Sequence, residues 1–168
     1  VHIAPDATLP LISRMLLVVV LAVVAIGPAP PVTPLPLQNG RARVVGDVAA
    51  GRTIELDWAQ ASSVACFPGN HFSAFAGRHL LYRFELPAAS VATITLTAKN
   101  KTKDVNLYAY RAAPNETLVP PNITGTQCEA SYGVAKVGVQ PNPQEVDRVS
   151  MLALRAPYTI YVGVAGYE

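Results

Sequence analysis

The chain has few of the side chains on which metal sites and hydrolases depend. It contains three histidines and two cysteines, and charged residues make up only 14% of its 168 residues. His71 and His79 lie eight residues apart, but no Asp or Glu near them in sequence would complete a metal site. We therefore expect both histidines to lie on the surface or in loops, and we expect neither a metal nor a cofactor.

The motifs that carry common enzyme chemistries are also missing. The sequence has no Cys-x-x-Cys, no Gly-x-Ser-x-Gly and no Gly-x-Gly-x-x-Gly, which argues against thiol redox, serine acyl transfer and dinucleotide binding. The net charge is only +2, with one small basic cluster at Lys99, Lys101 and Lys103, so nucleic-acid binding is not indicated. The sequence predicts a protein that is not an enzyme.

One long apolar segment, residues 9–27, stands out from the rest of the chain. Its 18 residues up to Ile26 would form a helix of about 27 Å, close to the apolar thickness of a bilayer. Arg14 is its one charged residue and lies near the first end, where its long side chain can reach the interface. We interpret the segment as a membrane anchor. Representative anchor residues are Leu9, Arg14, Leu16, Val20 and Ile26.

The same segment has a second interpretation, as a cleaved secretory signal that starts at Met15. Both interpretations export the rest of the chain. Arg14 lies on the N-terminal side and no further Lys or Arg occurs before Arg41, which favours a cytoplasmic N-terminus. The expected location is the bacterial inner membrane with the C-terminal part in the periplasm, and the alternative is a secreted or cell-surface protein.

The remainder of the chain divides into a short tail, a spacer and one domain. Residues 1–8 form the tail, and residues 28–40, with five prolines, are expected to be an extended linker. From residue 41 to residue 168, apolar and polar side chains alternate with period two in short segments, without a helical period. This pattern predicts an all-β, antiparallel β-sandwich. The candidate strands are residues 43–48, 52–58, 80–86, 91–98, 104–111, 127–132, 148–154 and 158–166.

The two cysteines, Cys66 and Cys128, both lie in the part that would be exported. An even number of cysteines outside the cytoplasm favours a disulfide over two free thiols. Closing a loop of 62 residues would stabilise the fold by about 4 kcal/mol on the chain-entropy model.

Three further features concern the surface of the domain. The glycines of the last candidate strand, Gly163 among them, indicate a close neighbour on one face, either another backbone or a partner. Asn115-Glu116-Thr117 and Asn122-Ile123-Thr124 match the acceptor triplet for N-linked glycans, which matters only in a eukaryotic secretory host. A group of aromatic residues could form an exposed interaction patch or could pack around the disulfide. It consists of Trp58, Phe67, Phe72 and Phe75.

Part of the domain is similar to a known family. The run LLYRFELPAASVATITLTAKNKTKDVNLYAYR and the later run DRVSMLALRAPYTIYVGVAGY resemble the bacterial pre-peptidase C-terminal domain family over about residues 78–167. Asp104, Leu107 and Tyr108 match its Asp-x-x-Leu-Tyr strand. The last strand of the family is approximated by Tyr158, Ile160, Tyr161 and Val162. The resemblance implies a jelly-roll-like, non-catalytic sandwich. The calcium site of some relatives is not expected, because this chain has no matching acidic cluster.

These observations together predict a function in binding rather than catalysis. An anchor, a spacer and one sandwich without a catalytic constellation indicate an accessory subunit that docks onto other membrane or periplasmic proteins of a larger complex. A respiratory or photosynthetic complex is one such setting. The alternative is a secreted or cell-surface module that binds protein or carbohydrate.

Overall fold

The computed structural model describes residues 30–56, 72–99, 105–120, 123, 127–131 and 146–166, with only the backbone of residues 72 and 73. These residues form mainly β-structure, which confirms the all-β prediction. The strands are β1 (Val32–Pro34), β2 (Arg52–Thr53), β3 (Arg78–Leu86), β4 (Ser90–Leu96), β5 (Val105–Ala112), β6 (Cys128–Ser131), β7 (Asp147–Ala153) and β8 (Tyr158–Gly166). The helical elements are a 3-10 turn (Val48–Ala50) and one turn of α-helix, α1 (Phe72–Phe75).

The strands form a large and a small sheet. The large sheet has the order β1-β3-β8-β5-β6, with β2 paired to β3, and the small sheet consists of β4 and β7. All pairs are antiparallel except β1 and β3, which are parallel. The large sheet is therefore mixed, and the prediction of a wholly antiparallel sandwich is wrong at this edge.

Strand β1 comes from the proline-rich segment that the sequence predicted to be an extended linker. Val32 pairs with Leu81 and Pro34 with Arg83, and the backbone N–H of Leu35 donates to the carbonyl oxygen of Arg83 at 2.7 Å. Pro34 fits here because an edge strand has an outward side on which a missing N–H costs nothing. This part of residues 28–40 belongs to the sheet and is not a spacer.

The small sheet packs on one face of the large sheet, which we call the sandwich face. The alternation predicted for β4 is confirmed, since Ala92, Ile94 and Leu96 point inward while Thr93 and Thr95 are exposed. Buried side chains of both sheets form one apolar cluster between them. The buried members are Tyr82, Leu86, Leu107, Ala109, Val149, Met151, Ala153, Ile160 and Val162.

The opposite face of the large sheet, which we call the loop face, is covered by segments with little regular structure. Seven side chains from these segments form a second apolar cluster with strands β3, β5 and β8: Ile54, Leu56, Ala74, Phe75, Leu118, Val119 and Ile123. Strands β5 and β8 are therefore buried on both faces. A sheet covered on both sides explains why the β8 sequence is apolar almost throughout.

Two predicted strands differ from the structure. Residues 42–47 form no strand, and a 3-10 turn follows them, capped by the Asp47 carboxylate, which accepts from the Ala49 N–H at 3.0 Å. Of residues 52–58 only Arg52–Thr53 pairs as a strand. Ile54 and Leu56 nevertheless point into the loop-face cluster, as their alternation predicted.

Within the described ranges, no helix has the length and apolar character needed to cross a bilayer. The predicted anchor, residues 9–27, lies outside those ranges and stays a prediction.

Candidate functional site

A row of polar side chains is buried at one end of the loop face. The strand register places His79 of β3 and Asn106 of β5 on either side of Ala165 of β8. His79 is 2% exposed and Asn106 is fully buried. The prediction that His79 lies on the surface is wrong, because residue 79 shares the loop face with Leu81, and that face is covered by α1.

Both ring nitrogens of His79 are used in hydrogen bonds. Nε2 lies 2.7 Å from the carbonyl oxygen of Phe75, and Nδ1 lies 2.9 Å from the hydroxyl of Tyr108. Since a carbonyl only accepts, Nε2 carries the proton and Nδ1 accepts from Tyr108. Burial lowers the pKa of His79 to about 4, although the bond to Phe75 acts in the opposite direction. The ring is therefore neutral at pH 7.

Asn106 makes a matching contact with the same helical turn. Its Nδ2 donates to the carbonyl oxygen of Ala74 at 2.5 Å. The Asn106 amide and the His79 ring thus hold the carbonyls of two consecutive residues, Ala74 and Phe75, at the end of α1. Such carbonyls have no partner within a one-turn helix, so side chains of the sheet supply one.

A stack of three tyrosines continues from this row across the loop face. The rings of Tyr108 and Tyr110 lie 6.4 Å apart at 14°, and those of Tyr110 and Tyr161 lie 5.1 Å apart at 5°. The hydroxyl of Tyr110 donates to the carbonyl oxygen of Leu118 at 2.8 Å, and that of Tyr161 donates to Glu116 at 3.0 Å. Burial raises the pKa of Tyr108 and Tyr110, so both remain protonated donors. The stack fixes residues 116–118 to the sheet.

The neighbour that the glycines of β8 indicated is one of these rings. A Cβ added to Gly163 would overlap the ring of Tyr108, which lies beside it in the strand register. The prediction that this neighbour is another backbone or a partner is wrong, because at Gly163 the neighbour is a side chain of the chain itself.

This buried cluster positions loops and has no free catalytic group. His79 has no nitrogen left for a substrate, and the three tyrosine hydroxyls donate within the protein. Among the described residues, no group of three or more His, Cys, Asp or Glu could hold a metal ion.

The predicted aromatic patch and disulfide are only partly within the described residues. Phe75 is fully buried in the loop-face cluster, with its ring edge-on to Tyr108 at 6.0 Å, so it belongs to the core and not to an exposed patch. Trp58, Phe67 and the side chain of Phe72 lie outside the described part, and their role in such a patch stays a prediction.

Cys128 begins β6, is half-buried against the loop-face cluster, and is disulfide-bonded. Cys66 lies outside the described residues, so the predicted pair stays a prediction.

An exposed surface with one apolar end lies on the outward side of the small sheet. Its cross-strand pairs are Val91–Leu152, Thr93–Ser150 and Thr95–Arg148, and all six side chains are exposed. We call these six residues the β4–β7 outer surface. Val91 is 64% exposed and Leu152 is 42% exposed, and the neighbouring Leu154 is 69% exposed.

Alternation along β4 predicts that Val91 shares a strand face with Thr93 and Thr95, but it does not predict this surface. The one signal in the sequence was that Val91 is aliphatic while the other residues on its strand face are threonines. The pairing of β4 with β7, which brings Leu152 beside Val91, could not be deduced from local alternation.

No family model, curated protein or solved structure matches the chain. The resemblance to the pre-peptidase C-terminal domain family therefore stays a prediction.

Proposed function

We propose that the chain is a non-catalytic accessory subunit, anchored by residues 9–27, whose jelly-roll-like sandwich docks onto a larger membrane protein complex on the exported side. The periplasmic side of a bacterial inner membrane is the expected setting. The observation that carries the proposal is the apolar end of the β4–β7 outer surface, formed by Val91 and Leu152, with Leu154 beside it. Contiguous exposed apolar residues commonly mark interaction sites.

The direction of β1 favours a protein over lipid as the occupant of this surface. β1 runs parallel to β3, so a chain that leaves a membrane enters the domain at the end where β3 begins. Pro30 is already buried in the domain, and in the sequence only residues 28 and 29 lie between it and the predicted anchor.

The apolar end lies at the other end of the domain. Val91 is the second residue of β4, which begins directly after the turn that follows β3, and Leu152 pairs with it. A bilayer that holds residues 9–27 would lie against the first end, so lipid would not reach Val91 and Leu152. An apolar surface of a partner protein fits this position.

The interior of the domain supports a binding role over catalysis. In the part of the chain that the structure describes, the most strongly shifted pKa values belong to His79, Tyr108 and Tyr110, and each is explained by burial with satisfied hydrogen bonds. A perturbed pKa in an open cleft would have favoured an enzyme.

The test is to tag the full chain in its native host and to follow its migration after mild solubilisation of membranes. We expect the wild type to co-migrate with a larger complex in fixed stoichiometry. Val91→Asp with Leu152→Asp should release the chain from the complex. Val45→Asp is the matched control, because Val45 is 62% exposed and lies outside the β4–β7 outer surface. A wild-type chain that migrates alone would contradict the proposal.

A secreted binding module is the alternative function, and the early start of the sheet is compatible with it. Removal of a leader after Gly27 would leave a mature chain that enters β1 five residues later, at Val32. N-terminal sequencing of the native chain distinguishes the two proposals, since a mature chain that begins near Pro28 has no anchor.

A further inference from the structure

We propose that Asn115 is an N-linked glycan acceptor when the domain passes through a secretory compartment that contains an oligosaccharyltransferase. The inference rests on the proposed export of the domain but not on the proposed partner. The first observation is the triplet Asn115-Glu116-Thr117, whose three side chains are all exposed. A folded acceptor site needs this exposure because the glycan is large and hydrophilic.

The backbone presents Asn115 at the tip of a tight turn. The Glu116 N–H donates to the carbonyl oxygen of Ala113 at 3.0 Å, which closes a four-residue turn with Pro114 and Asn115 at its centre. Asn115 has a φ of 63°, and Pro at the first central position with Asn at the second is compatible with a type II turn, which needs a positive φ at the second position. The Asn115 side chain therefore projects from the protein.

The chain on either side of this turn is held firmly to the sheet. Strand β5 ends at Ala112, and the Tyr161 and Tyr110 hydroxyls bind the carbonyl oxygens of Glu116 and Leu118. These contacts lie on the loop face, while the Asn115 tip stays free of them. A glycan at Asn115 would extend into solvent without displacing a tyrosine.

The position in the fold also suits a membrane-anchored domain. Ala112 pairs with Thr159, which pairs with Glu85, whereas Val32 enters beside Leu81. The four residues from Leu81 to Glu85 span about 13 Å of strand, and the turn with Asn115 continues further in the same direction. The glycan would therefore lie at the end of the domain far from the anchor.

The second triplet, Asn122-Ile123-Thr124, is a natural comparison within the chain. Ile123 is 1% exposed in the loop-face cluster, whereas Glu116, in the corresponding middle position, is exposed. The structure therefore favours Asn115 as the acceptor.

The transfer forms a bond between Asn115 Nδ2 and C1 of the reducing sugar of a lipid-pyrophosphate-linked oligosaccharide. The C1–O bond to the pyrophosphate breaks, the lipid pyrophosphate leaves with the bonding electron pair, and an Nδ2 proton passes to a base. No electron transfer is involved, and the donor lipid is the only co-reactant.

The test uses the full chain in secretory eukaryotic cells, in one version with its own N-terminus and in another with a strong signal peptide added before Val1. Protection from added protease in microsomes reports export separately from modification. We expect a mobility shift that an amidase removes, that Asn115→Gln and Thr117→Ala abolish, and that Thr117→Ser retains. Asn122→Gln is the matched control and should keep the shift.

Peptide mass spectrometry assigns the site. Trypsin leaves both asparagines on one peptide, because no Lys or Arg lies between Arg111 and Lys136. The amidase converts a glycosylated Asn into Asp, and subsequent cleavage after Glu116 separates residue 115 from residue 122. Asp at position 115 in the treated sample supports the proposal.

The two versions keep failure of the site apart from failure of export. If only the version with the added signal is glycosylated, the Asn115 site is supported and export by the chain's own N-terminus is wrong. If the protected, exported chain carries no glycan at Asn115, the present inference is overturned. A glycan at Asn115 of the native chain would assign it to a eukaryotic secretory pathway and would replace the bacterial setting.

Discussion

The buried His79 should make the stability of the domain depend on pH in a defined window. In the folded chain the pKa of His79 is lowered to about 4, whereas an unfolded histidine has a pKa of about 6.5. Between these values the unfolded chain binds one more proton than the folded chain. Stability is thus fully present above about pH 6.5 and is lost as the pH falls toward 4.

The size of the effect follows from the same two values. Their separation is about 2.5 units, which corresponds to about 3 kcal/mol lost once the pH is well below 4. At pH 4.5 the expected loss is already about 2.5 kcal/mol relative to pH 7. The structural reason is that Nδ1 accepts from Tyr108, so a proton on Nδ1 would remove that acceptor inside an apolar cluster.

The measurement is urea unfolding of the purified full chain at pH 7 and pH 4.5, for the wild type and His79→Gln. Glutamine does not ionise in this range, and its amide can donate to the carbonyl of Phe75 as the ring does. The difference between the two pH values contains contributions from carboxylates that both proteins share. Subtracting the His79→Gln difference from the wild-type difference isolates His79 and should leave about 2.5 kcal/mol.

An equal loss of stability in both proteins would refute this reasoning. So would an imidazole titration by NMR that gives the folded His79 a pKa near 6.5. His79→Gln protein that is too unstable to measure at pH 7 would leave the NMR titration of the wild type as the decisive measurement.

Three further changes test other contacts by unfolding measurements. Gly163→Ala should lower the free energy of unfolding by about 3 kcal/mol, because its Cβ would overlap the ring of Tyr108. Gly166→Ala in the same strand is the control and should be tolerated, since the nearest side-chain atom is 3.5 Å away. Equal effects of the two substitutions would contradict the assigned register. Tyr161→Phe should cost about 1 kcal/mol, because it removes one hydrogen bond from the loop that follows β5, and amide exchange in that loop should quicken while β8 stays protected. Replacing Cys66 and Cys128 by Ser should lower the free energy of unfolding by about 4 kcal/mol, and adding reductant to the variant should then have no further effect.

Local alternation in the sequence predicted where most strands lie, but it did not predict which of their faces are covered. β4 has one covered face, so Ala92 and Ile94 alternate with Thr93 and Thr95 and give a clear signal. β5 is covered on both faces, and its Asn106 and Tyr108 gave no local indication that their side of the strand was buried. The burial of His79 in β3 was not predicted for the same reason. Alternation does not show what covers each face of a strand.

The proline-rich segment was predicted to be a linker from its proline content alone, and the turn signal within it was not used. Asn39-Gly40 is the preferred pair for a two-residue turn with positive φ at both positions, and their φ values are 52° and 73°. Gln38 and Arg41 exchange both backbone hydrogen bonds across this turn, at 2.8 and 3.0 Å. The turn signal was present and indicated folded structure before residue 41. The pairing of Val32 with Leu81, by contrast, joins distant segments and has no local signature.

The loop face explains the positions of Tyr108, Tyr110 and Tyr161, three of the seven tyrosines of the chain. Segments without regular structure leave backbone carbonyls unpaired, and a purely aliphatic sheet face could cover them but could not bind them. A tyrosine does both, because its ring packs on the neighbouring ring while its hydroxyl reaches a carbonyl at the far side of the cluster. Tyr110 and Tyr161 do this for residues 116–118, and Tyr108 does it indirectly through the His79 ring. The polar atoms buried on this face are therefore required by the irregular cover, and they need no catalytic explanation.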